Sequence, residues 1–146
     1  MNKDLALVTE FLAGDRSPTR LNACSLQEAL NGTLLELDPT QGASVLSFEP
    51  GQEFVQGGGS IQGGIVAAML DFACVFAAFS RLPAGSSLGS TTLTVNYLRP
   101  ALPGLLRTRG KIVKMGSRFL FAEAQIEAQD GKLAATATTV IAVVPG

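Results

Sequence analysis

Asp71 is the only formal charge in an apolar run that extends from Ile65 to Phe79. A carboxylate in such surroundings is costly to keep ionised unless it is hydrogen-bonded or paired. Two readings of it stand side by side. It is a reactive group whose setting is tuned for chemistry, or it braces a neighbouring backbone. A Gly-rich segment precedes the run: Gln56-Gly-Gly-Gly59-Ser-Ile-Gln62-Gly63-Gly64. These glycines either receive a ligand close to the backbone or simply open a helix. No lysine follows them, so they are not a nucleotide-binding P-loop.

The rest of the composition narrows the chemistry. The chain has 146 residues and no histidine. Imidazole proton shuttles, histidine triads and histidine-ligated metals are therefore excluded, and no metal or cofactor is expected. Net charge is −1, so no electrostatic grip on nucleic acid or anionic membrane is expected. Cys24 and Cys74 form no CxxC pair, which argues for a reduced, cytoplasmic setting without a zinc or redox role. The N-terminal residues from Met1 carry an early acid and lack the apolar core of a signal peptide. The run around Asp71 is too short and too interrupted for a membrane span.

The elements that would position Asp71 can be read in order. Leu5, Val8, Phe11 and Leu12 have helical spacing, with Gly14 as a stop. Ser17-Pro18 reads as the start of a second short helix, through about Cys24. Thr33–Asp38 and Ala43–Phe48 read as a hairpin. A central helix is expected from about Gln62 to Arg81. Strands then follow at 88–98, 104–115, 119–128 and 132–144, with Asp130-Gly131 as a hairpin turn. The central helix is apolar on nearly every face, so it needs cover on every side. A single sheet covers one side only, which predicts a second subunit on the other. The expected architecture is one α+β domain over residues 1–146. In it a long helix is wrapped by an antiparallel sheet of five or six strands.

This order of elements, with a glycine pair, an acid at fixed distance and the segment Tyr97-Leu-Arg-Pro-Ala101, resembles the hotdog fold. More narrowly, it resembles the phenylacetate-pathway, PaaI-like type of acyl-CoA thioesterase. The resemblance implies hydrolysis of a small aryl or short-to-medium acyl-CoA thioester, at a site shared by two subunits of a homodimer that assembles into a homotetramer. It maps Gln56 onto the family's Asn/Gln position, Gly63 and Gly64 onto its glycine pair, and Asp71 onto its acid. Gln62 stands where the family usually has histidine. Ser90 lies where some relatives place a helper hydroxyl.

On that footing Asp71 attacks the thioester directly or acts as general base on water, and the sequence does not separate the two. The Gly63 N–H, at a helix start, would donate to the thioester carbonyl. Gln56 would contact that carbonyl or hold the water. Gln62, Gly64, Ser90 and Arg118 complete the expected substrate contacts. Lys114 and Arg118 could meet CoA phosphates, or simply be solvated. Phe72, Phe76 and Phe79 read as core, with one available to line an acyl tunnel, and Tyr97 reads as core with its hydroxyl at an edge. Gly63 and Asp71 are eight residues apart, about 12 Å along one helix, so they reach one carbon only from two chains. The competing reading is a non-catalytic acyl-CoA-binding or structural hotdog protein in which Gln62 marks lost or altered catalysis.

Overall fold

The computed structural model of the chain describes residues 2–144 and residue 146. The single domain expected over 1–146 thus includes two positions, Met1 and Pro145, that lie outside the described residues.

The chain opens with helix α1, Lys3–Ala13. Asn2 caps it: its side-chain oxygen accepts from the N–H groups of Asp4 (2.9 Å) and Leu5 (3.1 Å). Leu5, Val8 and Phe11 are buried on one face, which packs against the central helix. The short helix expected from Ser17 is not there. Asp15 accepts both the N–H and the hydroxyl of Ser17, which draws that serine into a turn. Thr19–Arg20 then forms strand β1, paired with the next strand through Thr19–Leu34 and Arg20–Thr33. The helix comes later, as α2, Ser25–Ala29.

Strands β2 (Thr33–Asp38) and β3 (Ala43–Phe48) form the expected antiparallel hairpin. Asp38 accepts from the N–H groups of Thr40 and Gln41 in its turn. The central helix α3 is Gly63–Phe79, with Gln62 at its N-cap. Four strands complete the domain: β4 Ser87–Tyr97, β5 Leu106–Met115, β6 Phe119–Glu127 and β7 Leu133–Val144. The sheet is antiparallel throughout, in the order β1-β2-β3-β5-β6-β7-β4. It has seven strands rather than five or six, and β1 is the one that no alternation in the sequence announces.

On β6, Leu120, Ala122, Ala124 and Ile126 turn inward while Phe119, Phe121 and Glu123 stay exposed, the period-2 pattern of a half-covered strand. The inward residues meet α3, whose Met69, Leu70, Ala73, Cys74 and Phe76 are fully buried. The helix sits unusually close to the sheet at one point. Gly110 on β5 faces Ser44 on β3. The Ser44 hydroxyl donates to the Ala73 carbonyl of α3 at 2.7 Å. A side chain at Gly110 would collide with that carbonyl and come within 2.9 Å of the Ser44 hydroxyl. A strand glycine here marks a close backbone approach.

The expectation that one sheet leaves the opposite side of α3 bare is only partly met. Helix α1 packs against α3 in addition to the sheet. A strip remains half-covered or open, made of Gly64, Ala68, Asp71, Phe72 and Val75. Their spacing of three and four residues places them on one helical face. Asp71 lies in the middle of it.

Candidate active site

The segment before α3 is a closed loop held by its own backbone. Val55 and Ile61 form a bridge, the Gln56 N–H donates to the Ser60 carbonyl (2.8 Å), and the Gly59 N–H donates to the Gln56 carbonyl (2.9 Å). Gly59 has φ +88°, a left-handed conformation that favours glycine. The Ile61 N–H donates to the Ala101 carbonyl at 2.8 Å. This bond joins the glycine loop to the Tyr97–Ala101 segment, so the two motifs that are far apart in sequence form one wall.

The helix start is left uncapped. Gln62 makes no side-chain capping bond, and the first turn of α3 holds no acidic residue. The N–H groups of Gly63 and Gly64 have no acceptor among the described residues. They present the positive end of the helix dipole to whatever approaches. A cleft of about 440 Å³ opens beside them, lined by Gln56, Ser60, Gly63, Tyr97 and Arg99 among others. A second cleft, about 470 Å³, shares the Arg99-Pro100 wall and continues past Leu102 and Leu105.

Gln56 lies on this cleft, but its amide is engaged in its own loop. Its Nε2 donates to the Ser60 hydroxyl at 2.6 Å, and its Oε1 accepts from the Gly58 N–H. One amide hydrogen remains for a ligand. Gln62 is exposed.

Tyr97 is not a core residue. It is 54% exposed, and its hydroxyl donates to the Gly63 carbonyl at 2.6 Å. Its role was missed because the bond needs the end of β4 to meet the start of α3. The only sequence signal was its place in the Tyr-x-Arg-Pro-Ala segment.

Asp71 occupies a second location, two helical turns from Gly63. It is half-buried, and its Oδ1 accepts from the Ser90 hydroxyl at 2.6 Å. That bond, with partial access to water, offsets the cost of a charge among apolar neighbours. Ser90 thus sits beside the acid, on strand β4. One chain therefore holds two separate groups of these residues: Gln56, Gly63, Gly64 and Tyr97 in one, Asp71 and Ser90 in the other. Arg118 joins neither group. It is exposed in the β5–β6 turn, where its carbonyl accepts from the Val143 N–H at 2.7 Å. Through Val143, this turn neighbours Leu88, at the far end of β4 from Tyr97.

Among the described residues, no cluster of three or more His, Cys, Asp or Glu side chains is arranged to hold a metal ion. Cys74, one turn after Asp71, is fully buried. Burial, reinforced by the Asp71 and Glu123 charges, pushes its thiol up to about 12. At pH 8 about one part in 10⁴ of it is thiolate. An alkylating reagent is expected to modify exposed Cys24 in the native protein and leave Cys74 untouched until the chain unfolds. Peptide mass spectrometry reads both sites, and rapid native modification of Cys74 would contradict its placement.

One long helix against a wrapped antiparallel sheet is the hotdog fold. The profile of the thioesterase superfamily matches residues 58–135, and the chain belongs to that family. A candidate esterase of Saccharolobus solfataricus is 30% identical over 99 residues, which span 66% of this chain and 69% of that protein. A candidate thioesterase of Ralstonia eutropha, described as related to phenylacetic acid degradation, superposes with a TM-score of 0.81 at 28% identity. That match covers 92% of this chain and 98% of the other. The E. coli PaaI protein, from the phenylacetic acid degradation operon, superposes with a TM-score of 0.78 at 19% identity, covering 99% and 96%; it shares the fold. The chain is a thioester hydrolase of this superfamily. No described helix is long and apolar enough to cross a membrane.

Proposed function

We propose that the protein hydrolyses acyl-CoA thioesters with a small aryl or short-to-medium acyl group, at a site completed by two copies of the chain. Asp71 of one copy supplies the nucleophile or general base. The uncapped start of α3 in the other copy, with Gln56 beside it, receives the carbonyl oxygen.

One observation carries the reading. Asp71 and Gly63 belong to separate groups, and the surface between them is built to be covered. Among the described residues strand β4 pairs only with β7, which leaves its other edge without a partner strand. Its eleven residues, Ser87–Tyr97, include no charge and no proline, the usual guards of an exposed edge. The open strip of α3 carries Asp71 toward the same side, since Ser90 of β4 holds that residue. Two copies related by a twofold axis would pair β4 with β4 and lay one α3 strip against the other. Antiparallel helices then bring Asp71 of each chain toward Gly63 of its partner. On the outer sheet face, Val113 (62% exposed), Phe119 (48%) and Phe121 (42%) offer a second apolar surface for pairing dimers into a tetramer.

The chemistry follows from these parts. The thioester carbonyl accepts from first-turn N–H groups aimed where negative charge develops. Attack by Asp71 gives a mixed anhydride and expels the CoA thiolate, and water then hydrolyses the anhydride. As general base, Asp71 instead takes a proton from the attacking water. Gln62, exposed at the N-cap, leaves the site without an imidazole. With both cysteines free, we place this activity in the cytoplasm.

A panel of aryl- and alkanoyl-CoA esters, followed by free-thiol release, tests the proposal. Turnover of aryl or short-to-medium esters is expected. No thiol release from any member of the panel would contradict it.

A further inference from the structure

We infer that Tyr97 is a positioning residue for the thioester: by holding the Gly63 carbonyl it fixes the Gly63–Gly64 peptide, so that the Gly64 N–H joins the Gly63 N–H as a second donor to the substrate carbonyl. The inference rests on the proposed acyl-CoA hydrolysis and adds to it.

The two glycines differ in what surrounds them. A side chain at Gly63 would meet Tyr97 at 3.3 Å from the hydroxyl oxygen and 3.4 Å from Cζ, whereas nothing lies within 4 Å of one at Gly64. Glycine at 63 therefore makes room for the Tyr97 ring. Glycine at 64 leaves open, exposed space at the helix start, and that is where a substrate can come close.

The Tyr97–Gly63 bond has a definite consequence for Gly64. A peptide unit is planar and trans, so its C=O and N–H point in opposite directions. Helix α3 begins at Gly63 and already aims this peptide along its axis. The Tyr97 hydroxyl, at 2.6 Å, holds the same carbonyl from outside the helix and so restrains the Gly64 N–H, which has no acceptor of its own among the described residues. A hydrogen bond to the carbonyl also polarises the amide and strengthens the N–H as a donor. An exposed tyrosine that spends its hydroxyl on this one carbonyl orients a donor before substrate arrives, which is the condition for stabilising developing charge.

Tyr97 is the only tyrosine in the chain. This makes two independent changes possible. Tyr97→Phe removes the hydroxyl alone. Biosynthetic replacement by 3-fluorotyrosine keeps the ring and makes the hydroxyl a stronger donor at this one position. For Tyr97→Phe, kcat is expected to fall at least about tenfold, less than the 10²–10³ lost with a whole oxyanion donor, while KM stays within about twofold. The direct readout is the infrared carbonyl band of an acyl-CoA bound to an Asp71→Asn background, where turnover is suppressed. Its downshift from the free thioester should shrink with Tyr97→Phe and grow with fluorotyrosine. A merely structural role would change stability without this ordered movement of the band. The inference is overturned if kcat is unchanged in Tyr97→Phe, or if the band position ignores both changes. Should Tyr97→Phe fail to fold, the fluorotyrosine band decides alone. Failure of the unsubstituted protein to release thiol from any acyl-CoA would instead defeat the underlying reading.

Discussion

Asp71→Asn is expected to lower thioester hydrolysis by about 10²- to 10⁴-fold, the range for loss of a general base, and further if the carboxylate is the nucleophile. The substitution preserves size. Its amide still offers an oxygen to the Ser90 hydroxyl, which now donates to Asp71 at 2.6 Å. The half-buried position also loses a charge among apolar neighbours, so stability should hold or rise slightly. Steady-state kinetics with a thermal melt separates chemistry from folding. Turnover near that of the unsubstituted protein would remove Asp71 from the mechanism.

Gly110→Ala is expected to have the largest effect on stability. The added methyl would be driven into the Ala73 carbonyl, a backbone group, and against the Ser44 hydroxyl that donates to it. Strand β5 is central in the sheet, paired with β3 on one side and β6 on the other, so it cannot step aside. Helix α3 must lift instead, opening its contacts with β5 and β6 together. Overpacking of this kind costs on the order of 3 kcal/mol, which lowers Tm by roughly 10 °C in a chain of this size. Ser44→Ala is the control: it removes one hydrogen bond and should cost about 1 kcal/mol. A melt of Gly110→Ala that matches the unsubstituted protein would contradict the close seat of α3 on the sheet.

The legible parts of the fold were those whose signal is local. Thr33–Asp38 and Ala43–Phe48 flank the Pro39–Gly42 turn, and both strands have those bounds in the structure. The apolar run after Gly63 specifies α3 by composition alone. Ser17-Pro18 misled because its local capping signal competes with the open edge of β2. Pairing with Leu34 and Thr33 supplied backbone partners that a short helix could not match. The contact of α1 with α3 depends on tertiary packing that the periodicity of either helix does not reveal.

At the site, Gly63, Gln56 and Asp71 were legible as residue types at a spacing, with the family likeness giving them roles. The direct bond from Ser90 to Asp71 spans nineteen residues, and that from Tyr97 to Gly63 spans thirty-four. Both depend on how β4 crosses α3, which no local pattern encodes. Arg118, expected at the substrate for its charge, is exposed in the β5–β6 turn, where its carbonyl accepts from the Val143 N–H.

Complementation between two inactive chains tests the shared site most directly. Asp71→Asn lacks the acid. Gly64→Val fills the open space at the start of α3, where a side chain meets no atom of its own chain within 4 Å, so it should fold and fail to admit the thioester. Co-expressed, the two assort into homodimers with no intact site and mixed dimers with one. In each mixed dimer, the chain carrying Gly64→Val contributes Asp71 to the unblocked helix start of its partner. With random pairing, half the dimers are mixed and one of their two sites works, so about a quarter of the full activity should return. Recovery near that level is the predicted result. Activity no greater than the sum of the two variants measured separately, in dimers verified to be mixed, would show that each chain works alone and contradict the two-chain site.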